Sequence, residues 1–87
     1  MSRSMPELER HLEAAIRRRL GTAPAAADTV EGIAEFWIPG DDQGPDTLVT
    51  VERVLERLVA EGLVVRRVVA GGAVVFGPGR AGSGDGH

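Results

Sequence analysis

The stretch TVERVLERLVAEGLVVRRVVAGGAVVF, Thr50 to Phe76, changes its periodicity half-way along. Up to Gly62 its apolar residues recur at helical spacing, and a helix from about Thr47 to Glu61 is predicted. At 100° per residue, Leu48, Val51, Val54, Leu55, Leu58 and Val59 fall on one arc, the expected core face. Val49, Thr50, Arg53, Arg57 and Ala60 fall opposite, with Glu52 and Glu56 at one border and Glu61 at the other. Gly62 stands where a C-terminal glycine belongs. From Leu63 the chain is β-branched and bounded by glycine, which favours strands. Gly71-Gly72 supplies the positive φ angles of a tight two-residue hairpin turn. The first strand carries valine on both faces, Val64 and Val68 on one, Val65 and Val69 on the other. A two-stranded hairpin buries only one face on a small domain, so some of this valine should meet the first helix or a second copy of the chain.

Working outward, Ser4 and Glu7 form a capping box, Pro6 suits a first turn, and Leu8, Leu12, Ala15, Ile16 and Leu20 mark a helix from Pro6 to Leu20, stopped by Gly21. Arg17, Arg18 and Arg19 crowd its last turn, either compensating the helix dipole or forming a phosphate-binding patch. The connector TAPAAA, residues 22–27, has room for a short extended piece. Asp28 and Glu31 form a second capping box. Val30, Ile33, Ala34, Trp37 and Ile38 then mark a helix from Thr29 to Ile38, with Trp37 as core anchor and Phe36 at the edge of the stripe. PGDDQGPD, Pro39 to Asp46, reads as a solvated loop whose Asp46 caps the next helix. Its three aspartates lack the alternating spacing and distal Glu of a calcium loop, and no metal or cofactor is expected. Residues 77–87 are glycine-rich with almost nothing to bury. The expected organisation is one domain, residues 1–78, with a disordered tail, 79–87.

The totals agree with one small α+β domain of 87 residues. There is no cysteine, hence no disulfide and no thiolate zinc site. A secreted domain this small usually needs one or the other, so the expected compartment is the cytoplasm. No apolar run approaches the roughly 18 residues of a membrane span. The net charge of −3 is unevenly spread: residues 1–20 and 47–80 carry more Arg than acid, whereas residues 21–46 carry acids and no base. A dedicated nucleic-acid binder usually shows one basic footprint.

Helix, helix, loop, helix, hairpin is the order of a winged helix-turn-helix domain. Thr50 to Phe76 resembles the second half of bacterial winged-helix regulators of the GntR and MarR types. The residues that carry the resemblance are Leu55, Leu58, Glu61, Gly62, Leu63, Val64, Arg66, Arg67, Gly71, Gly72 and Phe76. The resemblance implies a three-helix winged helix with a two-stranded wing, double-stranded DNA as partner, transcription regulation as the role, and a homodimer through the valine-rich hairpin or the first helix. Its recognition-helix and wing residues would be Val49, Thr50, Arg53, Arg57, Arg66 and Arg67. Arginine forks at 53 and 57 match the guanine edge, Val49 a thymine methyl, Thr50 a base or phosphate, and Arg66 and Arg67 the backbone. In DNA-reading members the second and third helices are joined by a compact turn with basic residues. Here the connection is acidic, and Asp46 would occupy the N–H groups that otherwise take phosphate.

Two readings therefore stand side by side: a DNA-binding regulator, and a winged-helix module for protein interaction or oligomerisation. For Arg53 and Arg57 the plain alternative is a solvated helix face, with Arg53 paired to Glu56. Catalysis is not expected. His11 and His87 lack a Ser and Asp constellation, and no glycine-rich loop follows a strand to hold phosphate.

Overall fold

The computed structural model describes residues 5–23 and 26–79. The Ser4 cap and residues 80–87 of the expected tail lie outside them. Three helical segments precede an antiparallel hairpin, the α+β arrangement expected of a winged helix-turn-helix. Helix α1 spans Met5–Thr22. Helix α2 opens with one α turn, Val30–Gly32, and widens into a π-helical stretch, Ile33–Trp37. Helix α3 spans Thr47–Ala60, strand β1 Val64–Val68 and strand β2 Val74–Pro78.

Apolar stripes from all five elements meet in one core. Leu12 and Ile16 of α1, Ile33 and Trp37 of α2, Leu55 and Leu58 of α3, and Val64 and Phe76 of the hairpin are buried together. The six helical residues were expected inside from their spacing, Trp37 as the anchor of its stripe, whereas Val64 and Phe76 were not singled out as core. The end of α3 follows its glycine: Gly62 adopts φ 80°, its N–H donates to Val59 O, and Leu63 N–H donates to Leu58 O. These two bonds close a Schellman cap, which turns the chain directly into β1.

Several local expectations are corrected. Gly21 does not stop α1, which runs one residue further to Thr22; the Thr22 hydroxyl donates back to Arg18 O and so satisfies a terminal carbonyl. Thr29, rather than Asp28, caps α2 by accepting from Gly32 N–H, while Asp28 accepts from Thr29 N–H. Asp46 makes no side-chain cap to α3. Thr47 takes over this end: its hydroxyl accepts from Gly44 N–H at 2.7 Å and donates to Asp42 O at 3.0 Å. The wing turn is looser than two residues, because Val69 N–H donates to Ala73 O and leaves Ala70, Gly71 and Gly72 as the loop. Gly71 lies at φ 90° and ψ −6°, the geometry a type II turn asks of its third residue.

The connector supplies an extended piece. Asp28 and Phe76 exchange both backbone hydrogen bonds, at 3.1 and 2.8 Å, so one outer edge of the hairpin is covered next to α2. The packed domain also runs past residue 78. Gly79 is buried and its N–H donates to Leu63 O at 2.9 Å, extending the ladder by one pair. A Cβ at Gly79 would overlap the Gly62 carbonyl.

Two outcomes test this packing. Leu58→Ala should destabilise the domain by about 2–5 kcal/mol in denaturant unfolding, because it empties a fully enclosed site; a cost under about 1 kcal/mol would contradict the core assignment. Gly79→Ala should lower the melting temperature, whereas Gly40→Ala, with open space around it, should leave it nearly unchanged.

Candidate nucleic-acid interface

Helix α3 packs against α1, α2 and β1, so it is enclosed on more than one side. Its buried residues are Thr47, Thr50, Val51, Val54, Leu55 and Leu58. The buried arc is therefore rotated towards Thr47 and Thr50 relative to the sequence expectation. Leu48, expected inside, is 43% exposed. Thr50, expected on the outer face, is fully buried, and its hydroxyl oxygen finds no hydrogen-bond partner among the described residues. It is out of reach of a base or a phosphate. The outer strip of α3 consists of Leu48, Val49, Glu52, Arg53, Glu56 and Ala60. Glu52 and Glu56 thus stand in the strip itself rather than at its border.

The two arginines of α3 expected to read DNA pair with acids of α1. Arg53 Nη1 donates to Glu9 Oε2 at 3.3 Å, and Arg57 Nη1 to Glu9 Oε1 at 3.4 Å. Arg57 Nη2 also donates to Glu13 Oε1. Arg17 joins from the far side, with Nε 2.8 Å from Glu13 Oε2 and Nη2 3.4 Å from Glu61 Oε1. The expected Arg53–Glu56 pair is replaced by this seam between helices. Glu9 and Glu13 are mostly buried, with side-chain exposures of 19% and 24%. Burial pushes the Glu13 carboxyl up, but hydrogen bonds from Arg17 and Arg57 outweigh it and hold the group below its ordinary value. The same hydrogen bond raises Arg57 further, so this arginine is a permanent cation.

Arg66 and Arg67 alternate along β1 and so point to opposite faces of the hairpin. Arg66 shares its face with Val64, Val68, Val74 and Phe76, the side turned to α3. Arg67 lies on the other face, and the two cannot grip one backbone together. Neither is ion-paired among the described residues. Of the α1 cluster, Arg17 is in the seam and Arg19 lies 5.6 Å from the centre of the Trp37 ring, a cation–π contact that also covers the anchor of the core. Arg18 alone of the three is exposed without a partner among the described residues.

The acidic loop is more ordered than a solvated turn. Pro39 leads into a 3₁₀ turn, Gly40–Asp42. Gln43 then reaches back, its Nε2 donating to Ala34 O at 2.6 Å and Ile38 O at 3.2 Å, the carbonyls left over where α2 ends. Asp42 Oδ1 lies 3.6 Å from His11 Nδ1, which ties the loop to α1. Gln43 was not singled out in the sequence; only its place one turn past a proline-stopped helix hinted at it. No three acids or histidines among the described residues come together as a metal site. No described helix is long and apolar enough to cross a membrane.

Comparison with protein-family models, with curated proteins and with solved structures gives no match.

Acid should expose the seam. The Glu13 carboxyl is depressed in the folded chain, so its contribution is fully present above the ordinary carboxylate range, near pH 4.3, and is lost as pH falls through the lower folded value. Unfolding free energy measured from neutral pH down to about pH 3 should fall more steeply for the wild type than for Glu13→Gln. Parallel curves would mean that the seam contributes nothing to folding.

Proposed function

We propose that this chain is a winged-helix protein-interaction module, and that α3 is not used to read DNA. The observation that carries this reading is the seam: Arg53 and Arg57, the residues best suited to guanine, are held by Glu9 and Glu13. Freeing them would leave the half-buried Glu9 without its arginines and Glu13 with Arg17 alone. What α3 then offers is Glu52 and Glu56 beside Val49. Phosphate would meet like charge, and the wing tip from Ala70 to Ala73 carries no compensating cation. Specific and non-specific DNA affinity both draw on neutralised phosphates, and proteins that make several such contacts need cations to spare. No catalytic role is proposed.

DNA binding is the second reading, and it draws on Arg66, Arg67 and Arg18, which have no ion pair among the described residues. A dimer would bring together two such sets. Fluorescence anisotropy with labelled random duplex DNA, at about 50 and 200 mM salt, separates the two readings. The expected result is no saturable binding at either salt, with Arg53→Ala/Arg57→Ala indistinguishable from wild type. Saturable binding that weakens steeply with salt would overturn the proposal, and a drop in the double mutant would in addition return α3 to the major groove.

A further inference from the structure

The inner face of the hairpin is only half used. Its base, Val64 and Phe76, is buried in the core. Towards the wing the same face continues as Val68, 68% exposed, and Val74, 38% exposed. Between this face, α3 and the start of α2 lies an open groove of about 640 Å³. Val30 and the two wing valines give it an apolar floor, and Glu31, Glu52 and Glu56 line it with Arg66. Its volume falls in the range that takes a few side chains of a ligand.

The charge of this groove contrasts with the other side of α3. There every carboxylate of the seam is answered by arginine. Here Glu31, Glu52 and Glu56 make no ion pair or side-chain hydrogen bond among the described residues, and one guanidinium stands against three carboxylates. The acids are not gathered as metal ligands. An anionic rim over an unsatisfied aliphatic floor is complementary to one chemistry: basic side chains flanking aliphatic ones.

We infer that the groove between α3 and the hairpin binds a short cationic segment of a partner protein, with aliphatic side chains on Val68 and Val74 and Arg or Lys against Glu31, Glu52 and Glu56. This rests on the reading of the chain as a protein-interaction module and names the class of partner. Arg66 sets the polarity of the segment: it repels a basic residue beside β1 and favours basic residues on the α3 side. The charged rim speeds and orients the encounter, and the valine floor supplies the area that leaves water.

The test uses the full chain, ¹⁵N-labelled, with a synthetic peptide of alternating Arg and Leu, and the same peptide with Glu in place of Arg. The expected result is a set of amide shifts on Val68, Val74, Glu52 and Glu56 with the arginine peptide only. Glu52→Gln/Glu56→Gln, both at exposed positions, should weaken that binding by about tenfold, the loss of two screened charge pairs. Val68→Ser should weaken it as well. Equal binding of the glutamate peptide, shifts confined to α1, or no shifts would each overturn the inference. Sedimentation of the free chain covers the remaining occupant: a dimer that dissociates in Glu52→Gln/Glu56→Gln would mean that a second copy fills the groove, which also overturns it. Duplex DNA run in parallel separates the two levels. If DNA perturbs α3 and the wing, the protein-interaction reading itself fails; if DNA is silent and the peptide fails, only the groove assignment falls.

Discussion

Glu13 sits where α1 faces α3, and an arginine reaches it from each helix. Together with Glu9 it anchors a seam of Arg17, Arg53 and Arg57 alongside the apolar contact of Leu12 and Ile16 with the core. Ion pairs exposed to this degree typically contribute about 0–1 kcal/mol each, less than one buried leucine. The core therefore holds the helices together, and the seam fixes their rotation. With Arg53 and Arg57 turned to α1, Thr50 turns inward and Glu52 and Glu56 take the outer strip. The character of every surface on this side of the molecule follows from that rotation.

Electrostatics then distinguish two sides of one helix. On the α1 side, opposite charges lie within 4 Å and cancel at any distance a ligand could approach from. On the hairpin side the carboxylates keep their field, which extends over about 8 Å in physiological salt. A domain with a net charge of only −3 can present an anionic groove because three of its arginines, Arg17, Arg53 and Arg57, are paired in the seam.

The elements were legible in the sequence because each is written in a local pattern: the period of α3, the glycine that ends it, the β-branched run after it and the glycine pair at the wing. The core residues followed, Trp37 among them. What the pattern could not carry was tertiary. Glu9 and Glu13 lie 44 to 48 residues from the arginines they hold, and on a helical wheel they are only solvated acids. Thr50 was expected on the face opposite the core, and only the enclosure of α3 by several neighbours places it inside. Thr47 and Gln43 took capping roles that composition would give to Asp46 or to water. Alternation along β1 was readable in principle, and it already implied that Arg66 and Arg67 could not act on one backbone.

The connection between α2 and α3 is long and acidic. A compact turn presents the N-terminus of a recognition helix to phosphate, so its backbone N–H groups must be left available. Here the Thr47 N–H donates to Gly44 O, and the Thr47 hydroxyl fastens Gly44 and Asp42 beside it. The loop is fastened to the start of α3 through Asp42 O, and Asp46 directly precedes the helix. The acidic loop thus sets like charge where a phosphate would approach this end of α3.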